Sequence, residues 1–456
     1  MNRIYLIASI LLAPLMMAAT PDSPRDTVLV EAMNDEMERT TSELELEDFS
    51  RPYYVSFTVF DVTSVECTGQ DGGLLHEDRT QRRYLRADVR VGSYELDNSN
   101  SQFQSQFFSN AGMTRLPVGD DYHALRRGMW LTATREAAER RAGGMRDETR
   151  LRDGTRVRLM ANINLLSELD LAVRLKAEGI GLYRTEFPFL VRDSLPTEDE
   201  QVRVFTLLFD RMQAREVTVR TLDVGGDKVL AYFDVAAEPN PELGLRSTRF
   251  ALRHPEIFDQ QLRAMLRAAG PDTRLRVMFP MIGSIDEFRE ARLRLETCWQ
   301  ELRTDGRVAC ELPQIGMMVE LPAVTEILDA FVREAAFFSI GTNDFVQYML
   351  AADRTNERVA EYYVPHHPAV LRALARIVRT VTAGGRDLSI CGEMAHDTRY
   401  VPFLVGLGVR KLSLDPVFLP DLQHALEAWS LEEARAYAEE LLTLHSVREV
   451  DAKLRG

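Results

Sequence analysis

Two short apolar runs, residues 315–319 and 336–340, are joined by one stretch of helical spacing, and this unit constrains the fold more than any other feature. The first run ends in Glu320. The second ends in Gly341-Thr342-Asn343-Asp344. Between them, residues 322–334 place Val324, Ile327, Leu328 and Phe331 on one helical face. Unbroken apolar runs of this length read as strands covered on both faces, as in parallel sheets flanked by helices. A strand–helix–strand unit sets its strands parallel, with their C-terminal ends side by side. Glu320 and Asp344 are therefore expected to project into one site. Two carboxylates with open positions suit Mg²⁺, which takes oxygen ligands from one or two acids and from substrate phosphate. The plainer alternative is a pair of surface carboxylates on loops.

The same alternation runs on in both directions. Further strand-like runs fall at residues 157–163, 179–183, 217–219, 275–282, 388–390 and 412–414. Helical stretches at 165–177, 197–215, 255–269, 285–302 and 369–383 fill the gaps. Regular β/α alternation with about eight strands predicts an α/β fold, a closed (β/α)₈ TIM barrel over residues 156–456, with a doubly wound open sheet as the competitor. In such a barrel the active site lies at the C-terminal ends of the strands. Those ends carry Arg184-Thr185-Glu186, Arg220-Thr221-Leu222-Asp223, Gly244-Leu245-Arg246, Glu320, Asn343-Asp344, Asp353-Arg354 and Cys391-Gly392-Glu393. One rim thus gathers Arg184, Arg220, Arg246 and Arg354, with Lys228 as a fifth candidate cation, around two metal-type acids. Guanidiniums so crowded repel one another unless a multiply charged anion joins them. Their planar forks match carboxylate and phosphate. A small ligand bearing both groups fits this set. A salt-bridged rim explains any one arginine as well, but not the whole set at strand ends.

The chain has 456 residues and a formal net charge of −15, which argues against nucleic acid as a main partner. Its four cysteines, Cys67, Cys298, Cys310 and Cys391, show neither metal-ligand spacing nor a disulfide framework. Residues 1–20 have the pattern of a secretory signal peptide: a basic start at Arg3, an apolar stretch over 4–17, and the small residues Ala18-Ala19-Thr20. A buried N-terminal helix is the other reading. Residues 21–142 read as a small α+β module. Residues 26–46 carry Leu29, Met33, Met37 and Leu44 on one helical face. Residues 52–62 read as a strand, and Leu85, Ala87, Val89 and Val91 alternate with Arg86, Asp88 and Arg90 as a half-buried strand should. Residues 69–73 and Gly92-Ser93 read as turns, 97–109 as a polar loop, and 121–141 as a helix. Residues 143–155 form the junction.

From residue 156 onward the sequence closely resembles the C-terminal domain of Enzyme I of the bacterial sugar phosphotransferase system, a phosphoenolpyruvate–protein phosphotransferase. The motifs that carry the resemblance are AEGIGLYRTEFPFL, VRTLDVGGDK, NPELGLRSTRF, MFPMI, GMMVELPAV, FFSIGTNDFVQYMLAADRTN and SICGEMAHD. The resemblance implies a phosphoenolpyruvate-binding barrel that forms a homodimer. It implies Glu320 and Asp344 as Mg²⁺ ligands, and Arg184, Arg220, Arg246, Asn343 and Arg354 as phosphoenolpyruvate contacts. It implies Cys391 as the residue that protonates the enolate of pyruvate, in keeping with a thiol tuned near neutral pH by adjacent cations. None of the eight histidines stands in the Gly-rich Thr-Ser-His context of the family's phospho-accepting residue, and His366-His367 reads as structural. The expected acceptor is therefore a phosphohistidine domain or carrier protein acting in trans. A phosphoenolpyruvate-binding sensor without turnover, and an exported fusion with a passenger barrel, stay open beside it. The barrel chemistry implies the cytoplasm, while the N-terminal pattern implies export.

The upstream stretches RPYYVSFTVFDV, LRADVRVGSYELDNSN and LPVGDDYHALRRGMWL resemble secreted TldD/PmbA-like proteins, a metallopeptidase family. His76-Glu77 is not followed by a second histidine at helical spacing, so no peptidase residue is carried over.

Overall fold

The structure, a computed structural model, describes residues 3–6, 24–43, 54–70, 73–90, 92–93, 96–97, 114–116, 145–190, 194–225, 240–354, 356 and 358–455. The chain divides into two compact units, Met1–Arg141 and Ala142–Gly456. In the first, strands β1 (Arg3–Leu6), β2 (Tyr54–Gln70), β3 (Gly73–Arg90) and β6 (Thr114–Leu116) form an antiparallel sheet in the order β1-β2-β3-β6. A helix over Pro24–Glu43 buries Leu29, Ala32, Met33 and Met37, the apolar stripe expected of it. The sheet buries Phe57, Val59 and Leu85. Gly92-Ser93 is not a turn: it forms the two-residue strand β4, paired with β5 (Leu96–Asp97). Leu44, the expected loop beyond Asp97 and the helix expected at 121–141 lie outside the described residues.

Within the second unit, β7 (Thr149–Arg150) lies in the expected 143–155 junction and pairs antiparallel with the next strand. Eight parallel strands follow: β8 (Arg156–Ile163), β9 (Gly179–Tyr183), β10 (Glu216–Arg220), β11 (Arg274–Phe279), β12 (Gln314–Val319), β13 (Phe337–Gly341), β14 (Asp387–Cys391) and β15 (Lys411–Leu414). They pair in sequence order, and β15 pairs back onto β8. That last pairing closes the sheet into a (β/α)₈ barrel and rules out the open doubly wound alternative. Every residue of β9, β10 and β13 is buried, as strands between a packed interior and a ring of helices must be. Strand β11 stops at Phe279, short of the expected residue 282, because Pro280 has no N–H to give to a ladder. The stretch after Glu320 is a 3₁₀ turn over Pro322–Ile327 followed by a short α-helix over Leu328–Glu334, not one continuous helix.

At the N-terminal end of the barrel, a charged cluster plugs the interior. Glu216 accepts hydrogen bonds from Arg276 at 2.6 Å, Lys411 at 2.9 Å and Arg158 at 3.1 Å. Asp387 pairs with Arg276 and Lys411. The Arg276 guanidinium lies 3.7 Å over the Phe337 ring. Desolvation opposes the charge on Glu216, but the three cations prevail and hold its carboxyl down at about 2. No helix among the described residues is long and apolar enough to cross a membrane.

Candidate functional site

The C-terminal ends of the barrel strands surround a cavity of about 380 Å³. Arg184, Arg220, Arg246, Glu320, Asn343, Asp344, Arg354 and Cys391 all line it. Strand register explains part of this convergence. Val319 pairs with Ile340, and Gly341 with Cys391, so Glu320 and Cys391 flank Gly341 at one level on adjacent strands, with Asn343 two residues beyond Gly341. Gly341 gives Glu320 its space: a Cβ there would lie 2.7 Å from Glu320 Oε1. Asn343 and Asp344 sit in the first turn of a helix over Thr342–Leu350, directly after β13. Arg184 directly follows β9, Arg220 ends β10, and Arg246 caps the N-terminus of a helix over Ser247–Arg253. Arg354 follows the left-handed Ala351 that ends the Thr342–Leu350 helix. Lys228 lies outside the described residues.

The arginines are of two kinds. Arg220 and Arg246 are buried, at 4% and 3% exposure, and are held by carboxylates. Arg220 Nη2 donates to Glu186 Oε1 at 2.5 Å and lies 3.2 Å from Asp223 Oδ2. Arg246 Nη2 donates to both Asp223 oxygens at 3.2 and 3.3 Å, while its Nη1 pairs with Glu242. Arg184 has no carboxylate partner among the described residues; its Nη1 donates to Asn164 Oδ1 at 2.9 Å. Arg354 approaches Asp344 at 3.8 Å and is one-third exposed. Mutual repulsion of the guanidiniums is therefore answered within the protein, which the sequence reading did not foresee. Glu186 and Asp223 stood in plain view at strand ends. Glu242 and Gln347 gave no signal beyond their place in the NPELGLRS and TNDFVQYM segments.

The lining carries five carboxylates against four guanidiniums. Burial, with Asp344 and Asp223 beside it, pushes the Glu320 carboxyl up to about 8 despite the pull of Arg220. Met281 N–H donates to its Oε2 at 2.8 Å. Asp344 Oδ1 is buried with no hydrogen-bond partner. Arg354 Nη2 lies 3.8 Å from that oxygen, too far for a hydrogen bond. Among the described residues no three His, Cys, Asp or Glu side chains converge as a metal cage. Mg²⁺ is commonly held by one or two carboxylates and by its ligand's phosphate oxygens, and Glu320 and Asp344 could supply the carboxylates.

Cys391 lines the cavity floor, packed with Leu182, Met278 and Met318. Ser339 Oγ donates to its Sγ at 3.4 Å, and the thiol faces the Ile340 carbonyl at 3.5 Å. The expectation of a thiol near neutral pKa is corrected here. Burial pushes it up to about 11, outweighing the Ser339 hydrogen bond and the influence of Arg184 and Arg220. The group is a held proton, not a thiolate. Gly392 beside it has φ +102°, and a Cβ there would lie 2.4 Å from Thr342 Oγ1. Asn343 Oδ1 accepts from Glu393 N at 2.8 Å, which orients its amide nitrogen away from that contact.

Comparison with known proteins covers the same part of the chain. Residues 139–430 match the family model described as PEP-utilising enzyme, PEP-binding domain. The chain is 42% identical over 275 residues to the phosphoenolpyruvate-protein phosphotransferase of Bacillus subtilis (strain 168), covering 60% of this chain and 48% of that protein. It is 42% identical over 274 residues to the protein of the same name from Staphylococcus carnosus (strain TM300), covering 60% and 48%. The corresponding figures for Geobacillus stearothermophilus are 43% over 274 residues, 60% and 47%. The chain thus spans about half the length of the curated relatives it matches. A crystal structure of a citrate lyase from Burkholderia xenovorans LB400 aligns with a TM-score of 0.40 and 18% identity over 65% of this chain and 90% of that one, too slight a likeness to carry an argument. On the strength of the matched domain, this chain belongs to the PEP-utilising enzymes.

Proposed function

We propose that the cavity binds phosphoenolpyruvate together with Mg²⁺ and transfers its phosphoryl group to a histidine of another chain, releasing pyruvate. The observation that carries this reading is the meeting of all eight candidate residues on one cavity. Glu320 and Asp344 would hold the cation, and the other lining groups fit the substrate's two anionic ends. Mg²⁺, when bound, supplies positive charge against the phosphate oxygens and helps neutralise the transferring group. Arg184, free of any carboxylate among the described residues, and half-committed Arg354 are the guanidiniums best able to take a new anion. Arg220 and Arg246, pre-set by their carboxylates, act as fixed positive charge that needs no reorganisation. As the phosphorus–oxygen bond of the substrate breaks and a phosphorus–nitrogen bond forms on the acceptor imidazole, an enolate is left. The Cys391 thiol gives its proton to the enolate carbon, yielding pyruvate, and the thiolate regains a proton before the next cycle. A thiol held well above neutral suits this task, since it carries its proton at working pH.

Among the described residues no histidine lines the cavity, which supports an acceptor in trans and a phosphohistidine domain or carrier protein as partner. The same observation favours a second reading, a sensor that binds phosphoenolpyruvate without turnover. Homodimer formation through the barrel belongs to the proposal as well. Mixing the protein with Mg²⁺, phosphoenolpyruvate and an isolated phosphohistidine domain, and following pyruvate, separates the readings. Pyruvate formation supports the transferase. Saturable binding with no pyruvate leaves the sensor, and no binding ends both.

A further inference from the structure

We infer that Gln347 is a positioning residue that locks together the two loops carrying Arg246 and Arg354, so that affinity for the anionic substrate depends on it. This rests on the phosphoenolpyruvate reading above. Gln347 lies within the Thr342–Leu350 helix, one turn beyond Asp344, and therefore on the same face. It is 4% exposed and lines the cavity. A buried amide is stable only if both its donor and its acceptor are used. Here each reaches a different loop. Nε2 donates to Glu242 Oε2 at 3.3 Å, the oxygen that also pairs with Arg246 Nη1. Oε1 accepts the backbone N–H of Arg354 at 3.2 Å. One side chain thus ties the segment after β10 to the segment after β13.

The neighbouring Tyr348 strengthens the first half of this tie. Its hydroxyl donates to the Glu242 carbonyl oxygen at 2.6 Å and accepts from Arg246 Nη1 at 3.2 Å. The Pro241–Leu243 turn is therefore gripped by its side chain and by its main chain from one helix. Only a neutral group with both a donor and an acceptor serves at position 347. A glutamate keeps the acceptor for Arg354 but loses the donor. It also sets a sixth carboxylate into a lining that already has five. A methionine matches the shape and loses both bonds.

Calorimetric titration of the full chain with phosphoenolpyruvate in Mg²⁺ tests this, with a thermal melt to show that each variant is folded. Gln347→Met is expected to weaken binding about tenfold, the scale of a lost hydrogen bond to a charged group, and Gln347→Glu to weaken it more. The same substitution made in an Arg354→Ala background should have a smaller effect, because the side chain it positions is gone. A residue that merely supports the fold would lower the melting temperature and leave the two effects additive. Binding within about twofold of wild type in both folded variants, or strict additivity with Arg354→Ala, overturns the inference. Should Gln347→Met not fold, Gln347→Glu carries the test alone through the same two readouts. If wild type itself does not bind phosphoenolpyruvate, the functional reading fails first; if wild type binds and the variants match it, only this inference fails.

Discussion

Replacing Glu320 by glutamine separates the cation from the fold. Glu320 is 1% exposed, and its carboxyl rises from an ordinary 4.5 to about 8, first through burial and then through Asp344 and Asp223. A raised value means that the folded chain holds this proton more tightly than the unfolded chain does. Its contribution to stability is therefore full below 4.5 and is lost as the pH climbs through about 8. At ~1.4 kcal/mol per pKa unit, the change across that window is on the order of a few kcal/mol. A divalent cation takes only the ionised carboxylate. Binding near neutral pH must expel the proton, and cation affinity falls about tenfold per pH unit on the acid side of the group's midpoint. Glu320→Gln keeps an oxygen for the Met281 N–H but carries neither a titratable proton nor a charge. In metal-free buffer at about pH 9 the variant should melt above wild type, and at about pH 4 the two should melt close together. Mg²⁺ with phosphoenolpyruvate should raise the melting temperature of wild type and not of the variant. Calorimetry in two buffers of unlike ionisation heat reads the proton released at neutral pH. An equal melting difference at both pH values, or cation binding with no proton released, would refute this reasoning.

Cys391→Ala leaves every charged group of the cavity in place, so calorimetry should find phosphoenolpyruvate binding retained while the coupled assay finds no pyruvate. Glu216→Ala removes the acceptor that Arg276, Lys411 and Arg158 share at the opposite end of the barrel, and leaves Asp387 to pair with the first two. It should cost about 1–3 kcal/mol in denaturant unfolding and leave substrate affinity unchanged. Gly392→Ala forces a side chain into left-handed backbone and within 2.7 Å of Asn343 Oδ1. It should lower stability by about 1–3 kcal/mol and weaken phosphoenolpyruvate binding, read by melting and titration.

The sequence carried the barrel because its strands are short apolar runs at regular intervals, and each reappears within a few residues of its expected place. Closure itself could not be read there, since the β15–β8 pairing joins the two ends of the domain through no local pattern. The site was legible wherever chemistry sits at a strand end, as with Arg220 at the end of β10 or Glu320 after β12. It was hidden wherever a contact depends on two loops meeting. Glu242 reaches Arg246 from one turn away, and Gln347 reaches Glu242 across more than a hundred residues. Charge balance was misjudged for the same reason, since Glu186 and Asp223 were counted as neighbours of the arginines and not as their partners. The Cys391 thiol was misjudged because burial, which outweighs nearby cations, is a property of packing.

Titration of the full chain with phosphoenolpyruvate, with Mg²⁺ and then with the cation chelated, bears most directly on the cavity's role. One saturable site per chain that is lost on chelation and lost again in Arg184→Ala is the expected result. No heat of binding, or binding indifferent to both the cation and Arg184, would contradict the assignment of this cavity to phosphoenolpyruvate.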